Sequence, residues 1–175
     1  MEQITIRKVD LTHLDKLLDF SRQTFLNAFF HLNKPEDIYA YVDKKLTKAN
    51  LQDEINNPSS AFYFAMLNGE VAGYTKLNRG PAQSDLQDDT SLEIERIYVS
   101  KDHQGKQIGK QLLDFAVQTA IENQLQYLWL GVWDKNHRAV KFYQQNGFEI
   151  FGSHDFMLGN DLQCDVLMRK MLSPI

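Results

Sequence analysis

The pattern of apolar and polar residues changes character along the chain, and each change predicts an element. Residues 4–9 alternate as a strand does. Asp10 can cap a helix whose apolar positions include Leu11, Leu14, Leu17, Leu18, Phe25 and Phe29. Asn33-Lys34-Pro35 breaks it; a second helical region over 35–55, in two pieces, ends at Asn56-Asn57-Pro58. Strand texture follows. Residues 61–67 and 71–77 flank Asn68-Gly69, the signal for a tight type I′ hairpin, and 91–99 form a third run. Residues 107–123 read as a helix, with Ile108, Leu112, Phe115, Ala116 and Ala120 near helical spacing. Residues 127–133 are almost continuously apolar, as in a central strand covered on both faces. A short helix over 136–145 stops at Asn146-Gly147, and 148–153 and 162–171 read as late strands.

The order β-α-α-β-β-β-α-β-α-β-β predicts an α/β (α+β) fold. Its central sheet is mixed and mostly antiparallel, with about seven strands flanked by about four to five helices. The unit over 91–133 is strand, helix, strand and should make a right-handed crossover between parallel strands.

The length of 175 residues, with no repeat, low-complexity tract or linker, fits one domain over 1–175. The hydrophilic stretch 78–91, with Arg79-Gly80-Pro81, Asp85, Asp88 and Asp89, reads as a loop inside that domain. Nineteen Lys and Arg against 23 Asp and Glu give a net charge of −4, which argues against binding nucleic acid by phosphate neutralisation. No apolar stretch reaches the length of a membrane span, and the first residues lack the pattern of a signal peptide. Cys164, the one cysteine, cannot form an internal disulfide and reads as a small core residue; a reducing cytoplasm is the expected compartment.

Three segments carry candidate chemistry. In Gln104-Gly105-Lys106-Gln107-Ile108-Gly109-Lys110, two glycines occupy a strand-to-helix turn, and lysines stand where a helix start prefers acids. Free backbone N–H groups plus two lysines suit a phosphate or pyrophosphate; a solvated lysine turn is the alternative reading. The spacing matches neither a Walker A loop nor Gly-x-Gly-x-x-Gly, which leaves a phosphate-bearing cofactor of another kind. In the second segment, Asn136 and Tyr143 are two helical turns apart and share a face, although a plain cap and a half-buried aromatic would also explain them. In the third, Glu93 and Glu95 fall on one strand face; partly buried carboxylates so placed have raised pKa values and suit a general base. A solvated acidic face is the alternative. His13, His31, His103, His137 and His154 are dispersed, so no metal site is expected. Gly-x-Ser-x-Gly is missing, and the neighbours Ser153-His154-Asp155 cannot face one another as a triad.

Together these segments resemble the GCN5-related N-acetyltransferase (GNAT) superfamily. Gln104-Gly105-Lys106-Gln107-Ile108-Gly109 is similar to its acetyl-CoA motif Gln/Arg-x-x-Gly-x-Gly/Ala, with Gln107 where the family has Gly. Asn-x-x-Ala-x-x-Phe-Tyr is complete at Asn136, Ala139, Phe142 and Tyr143, and Gly147-Phe148 follows. Residues 92–98 and 129–133 look like PaiA-type polyamine N-acetyltransferases.

The resemblance implies acetyl-CoA as donor and a primary amine, such as spermidine or spermine, as acceptor. It implies that Ile97 and Val99 pair with the pantetheine arm, that an N–H near Ile97 or Tyr98 steadies the oxyanion, and that residues 104–110 cradle the pyrophosphate. Asn136 would hold the pantetheine, Tyr143 would protonate the leaving thiolate, and Glu93 or Glu95 would take the amine's proton. With no activated nucleophile visible, direct attack in a ternary complex is expected. The alternatives are another acceptor (a protein N-terminus, a lysine, an aminoglycoside) or an acyl-CoA-binding module that transfers nothing. A homodimer is a family-level expectation.

Overall fold

Polar residues set the ends of the first elements. The structure is a computed structural model that describes residues 2–173, so positions 1, 174 and 175 of the expected domain lie outside the described residues. After β1 (Ile4–Lys8), the Asp10 carboxylate accepts from the Thr12 N–H, and His13 Nδ1 accepts from the Asp10 N–H. This cap starts a short 3-10 turn, Leu11–His13, rather than the helix itself, and Leu11 is exposed instead of joining the helical face. α1 (Leu14–Phe29) buries Leu14, Leu17, Phe20 and Phe25. α2 (Pro35–Lys45) opens on proline, with Glu36 and Asp37 in its first turn and Lys44 and Lys45 in its last, as the helix dipole favours. Thr47 caps α3 (Lys48–Asn56), so the second helical region is in two pieces, as its pattern predicts.

Among the described residues, one seven-stranded sheet runs in the order β1-β2-β3-β4-β5-β7-β6, and five α-helices accompany it. The remaining strands are β2 (Ser60–Leu67), β3 (Glu70–Asn78), β4 (Ser91–Val99), β5 (Tyr127–Trp133), β6 (Glu149–Leu158) and β7 (Asp161–Met171). The remaining helices are α4 (Ile108–Glu122) and α5 (His137–Gln145). β4 and β5 pair in parallel and every other pair is antiparallel, which is the mixed sheet that the sequence predicts. Asn68 and Gly69 both have positive φ, as the type I′ turn between β2 and β3 requires.

The strand period of two separates the faces. Phe62, Phe64 and Tyr74 pack against Leu14, Leu17 and Phe20 of α1 and Leu51 of α3. Leu77, Leu92, Ile94, Leu128, Leu130 and Val132 pack on the other side against Leu113, Ala116 and Ala120 of α4 and Tyr143 of α5. No helix among the described residues is long and apolar enough to cross a membrane.

The late strands are longer than their apolar pattern suggests. β6 continues past Ser153 to Leu158 and turns at Gly159 and Asn160 into β7, which begins at Asp161. His154 and Asp155 interrupt the alternation, and Phe151 is an extra, bulged residue opposite β7. The strand survives because backbone pairing with β7 continues and His154 Nδ1 meets Asp85 Oδ2 at 2.8 Å.

One glycine sets how closely α4 approaches the sheet. A Cβ on Gly73 of β3 would lie 2.9 Å from the Tyr98 carbonyl oxygen and 3.1 Å from the side chains of Ile108 and Leu112. Gly73→Ala should therefore force α4 and β4 apart. We expect a loss of about 1–3 kcal/mol, the usual range for overpacking, measured by chemical denaturation.

Candidate active site

The site begins where two strands part. β4 and β5 pair at Ser91 with Tyr127, Leu92 with Leu128 and Glu93 with Trp129, and then diverge. The next residue but one explains the divergence. Lys76 of β3 opposes Arg96, while its neighbour Leu77 opposes Ile94, so Glu95 is an extra residue in β4. Such a bulge bends its strand and increases its twist. Beyond it, the Ser100 N–H donates to the Ala72 carbonyl and Thr75 Oγ1 donates to the Arg96 carbonyl. By the alternation of an antiparallel ladder, Tyr98 and Arg96 then direct their backbone groups to β3, and Ile97 and Val99 direct theirs into the gap. On the α1 side, the Phe29 ring stands 6.5 Å from Tyr98 of β4 and 6.3 Å from Trp133 of β5, spanning the gap. On the other side, Tyr143 shares a core with Ile94, Leu130 and Val132, which flank it.

The turn after β4 leaves a row of donors. Gly105 and Gln107 both have positive φ, and Gln107, in the left-handed region at φ 64° and ψ 16°, is the N-cap of α4. Its side chain makes no cap bond, and the first turn carries no acid. Among the described residues, nothing accepts from the N–H groups of residues 105–110; the first helical bond is from Gln111 to the Gln107 carbonyl. An anionic diphosphate fits such a run of amides. The two lysines are less free than their spacing implies: Lys110 pairs with Asp114 one turn on, and Lys106 Nζ lies 3.7 Å from Glu2. The unbonded amides are therefore the stronger candidate feature of the turn.

Glu93 and Glu95 are brought together but held in opposite states. Asn78 Nδ2 donates to Glu93 Oε1 at 2.9 Å and to Glu95 Oε2 at 3.0 Å. Glu93 is 2 % exposed. It accepts from the Ser84 N–H at 2.8 Å and from the Ser84 hydroxyl. Burial raises its carboxyl above the ordinary glutamate range, and these hydrogen bonds oppose the rise. The Glu95 side chain keeps 27 % exposure and pairs with Lys76. Burial pushes its carboxyl upward too, but the charges of Arg96 and Lys76 outweigh that push, and the net shift is downward. The expectation that both carboxyls are raised thus holds for Glu93 and fails for Glu95, because a lysine and an arginine from the same sheet face surround Glu95.

The loop over 79–90 straps this face. Gln83 Oε1 accepts from Trp129 Nε1 and from the Ser91 hydroxyl, both at 2.7 Å; Ser84 holds Glu93; Asp85 meets His154; and Asp88 accepts from the Tyr127 hydroxyl at 2.6 Å. Asp165 of β7 lies opposite Trp133 of β5 in register. A Cβ on Gly131 of β5 would lie 3.5 Å from its Oδ2. Burial above all raises the Asp165 carboxyl. Burial also raises the Tyr41 hydroxyl of α2, with Glu95, Glu54 and Asp165 acting in the same direction and Arg96 opposing. Glu95 and Asp165 thus act on the Tyr41 hydroxyl by their charge.

Asn136 is the N-cap of α5: its Oδ1 accepts from the Ala139 N–H at 3.2 Å. Tyr143 lies against Phe142 and Phe148, and burial alone holds its phenol strongly protonated. The sequence reading missed Lys76, Asn78, Glu54 and Ser84. A signal existed for two of them, since Tyr74, Lys76 and Asn78 alternate on one face of a strand whose period puts all three inside. Glu54 and Ser84 reach the site by tertiary contact and left no local trace.

This geometry, with its parted strands, open amide turn and flanking tyrosine, is that of an acyl-CoA-dependent transferase fold. Residues 26–148 match the Acetyltransferase (GNAT) family. The chain belongs to that family, and acetyl-CoA is its acetyl donor. It is 41 % identical over 172 residues to an uncharacterized N-acetyltransferase in the pepI 3′ region of Lactobacillus delbrueckii subsp. lactis, covering 98 % of this chain and 99 % of the relative. It is 24 % identical over 151 residues to the spermidine N(1)-acetyltransferase of Thermoplasma acidophilum, covering 84 % and 89 %. In fold it is similar to the crystal structure of the PaiA N-acetyltransferase of Thermoplasma acidophilum in complex with coenzyme A, with a TM-score of 0.78, 24 % identity and coverage of 97 % and 99 %.

Both the turn and the carboxylates have measurable effects on stability. Gln107 carries the strain of a left-handed residue with a Cβ, about 1 kcal/mol. Gln107→Gly should hold or raise stability by up to about 1 kcal/mol, and Gln107→Val should lower it, both read by thermal denaturation. The depressed Glu95 carboxyl contributes stability that is present above the ordinary glutamate range and lost as pH falls through its folded value. Glu95→Gln should flatten that part of the acid dependence in denaturation curves recorded between about pH 3 and pH 7.

Proposed function

We propose that this single-domain protein transfers the acetyl group of acetyl-CoA to a primary amine of the polyamine class, by direct attack within a ternary complex. The observation that carries this reading is the partly exposed Glu95 carboxylate at the bulge, paired with Lys76 and Asn78, on a sheet whose gap is spanned by the ring of Phe29 between Tyr98 and Trp133. Carboxylates and aromatic faces together favour a ligand with more than one ammonium. The polyamine-acetylating relative supports the same class, and the net charge of −4 agrees with it.

Acetyl-CoA supplies an activated thioester, and the chain supplies the rest. The amides of residues 105–110, with Gln104 and Lys106 beside them, hold the diphosphate. The backbone groups of Ile97 and Val99 hold the pantetheine arm as an added strand would, and Asn136 steadies it with its amide nitrogen. Of the two N–H groups that the sequence offers, that of Tyr98 is directed to β3, so the Ile97 N–H is the one that donates to the carbonyl oxygen of the thioester. An alkylammonium titrates near 10.4, about as lysine does. Glu95 holds the ligand's cation; the attacking nitrogen gives one proton to water, since an ammonium has no lone pair, and Glu95 takes the second as the new bond to the acetyl carbon makes the nitrogen acidic. Glu93 has a different role. Buried and occupied by Ser84 and Asn78, it anchors the strap. The Tyr143 phenol, protonated at neutral pH, returns a proton to the departing sulfur.

The test is release of free thiol from acetyl-CoA with spermidine, spermine and a simple monoamine, with the mass of the amine product recorded. We expect the polyamines to gain one acetyl group and the monoamine to react poorly. Binding of acetyl-CoA with no amine turned over would defeat the reading and leave an acyl-CoA-binding module. Glu95→Gln should lower kcat/KM by about 10²–10⁴-fold, the range for general acid–base groups. Tyr143→Phe should lower kcat and leave the KM for acetyl-CoA nearly unchanged.

A further inference from the structure

β3 directs Lys76 into the protein beside Tyr74 and Asn78, and the residue is 5 % exposed. An ammonium so placed needs paired anions. It has two: Glu54 Oε2 of α3 at 3.0 Å, and Glu95 Oε2 at the bulge. Glu54 is fixed in turn by the fork of Arg96, at 2.9 Å from Nη1 and 3.2 Å from Nη2. Both cations lie over one ring, Phe62, at 5.6 Å for Lys76 and 5.9 Å for Arg96. The fork of Arg96 is spent on Glu54, so Lys76 is the cation in direct contact with Glu95.

We propose that Lys76 is a positioning residue for acetyl transfer, clamped between Glu54 and Glu95 so that it fixes both the place and the charge of the Glu95 carboxylate. The inference rests on the reading of Glu95 as proton acceptor. Glu95 is faced by Lys76 and Tyr74 from β3, by Glu54 from α3 and Tyr41 from α2, and by Arg96 and Glu93 from its own strand. Of these, Arg96 also lowers the Glu95 carboxyl by its charge but spends its hydrogen bonds on Glu54, the tyrosines are neutral, and Glu93 and Glu54 would raise the carboxyl; Lys76 acts by both charge and direct contact. Removing Lys76 therefore leaves a carboxylate that binds its proton at higher pH and is free to swing.

The pH profile of kcat/KM separates this role from a merely structural one. In Lys76→Met the acid limb should move up by about one pH unit, so that activity on the limb, at about pH 4 and below, falls by up to about tenfold more than activity near pH 8. Lys76→Arg, which keeps the cation, should return the limb toward its original place. An equal loss at every pH in Lys76→Met would overturn the proposal. A second measurement needs neither turnover nor a folded Lys76→Met variant. The side-chain carboxyl of Glu95 is followed by carbon NMR in the wild-type chain and in Lys76→Arg, and assigned by its disappearance in Glu95→Gln. Titration below the ordinary glutamate range in both chains supports the clamp, and titration at or above that range in the wild type overturns it. If no amine is acetylated, the reading of function fails on its own, and the titration still decides whether Glu95 is held ionised as the clamp requires.

Discussion

Backbone N–H and C=O groups must find partners, and the strands of this fold leave some without one. β4 carries one residue more than β3 can match, and the surplus at Glu95 turns the strand away from β5 after three parallel pairs. A strand edge is thereby opened in the middle of a seven-stranded sheet rather than at its rim. It faces a gap bounded by Phe29 on one side and by the Tyr143 core on the other. The run of unbonded amides that begins at Gly105 continues the same line of donors past the end of the strand. These are the groups that the proposed function assigns to the pantetheine arm and the diphosphate.

The bulge also decides the electrostatics. Two glutamates one residue apart on β4 would repel if both stayed charged on one face. The chain resolves this by giving them different neighbours. Glu93 goes under the strap and accepts from Ser84, while Glu95 meets the ammonium of Lys76. Asn78 donates to both and keeps the two carboxylates in register. Residue type thus states what each group could do, and partners drawn from β3, α3 and the loop state which of them does it.

Most of the architecture was legible in the sequence because its signals are local. Asn68-Gly69 forced the hairpin, the apolar run over 127–133 gave the central strand, and Asn136 and Gly147 bounded α5. The turn at 104–110 stood out as a candidate anion site because lysines stood where acids belong, although Asp114 and Glu2 claim those lysines and leave the amides as the stronger feature. The end of β6 was hidden, since His154 and Asp155 look like loop residues until their partners are in place. The left-handed state of Gln107 was hidden for a related reason: glutamine does not announce positive φ as glycine does. The clamp around Glu95 was the least legible, because Glu54, Lys76 and Arg96 converge from three elements.

The strap over 79–90 has a mechanical consequence. The seam between β4 and β5 is the weakest joint in the sheet, and backbone bonds close it over a short stretch. Gln83, Ser84, Asp85 and Asp88 lace across that seam, tying β4 to β5 and β6 mostly through side chains. The protein is thus two β blades sharing a short hinge, and the lacing sets how far they can spread when a thick ligand is wedged between them.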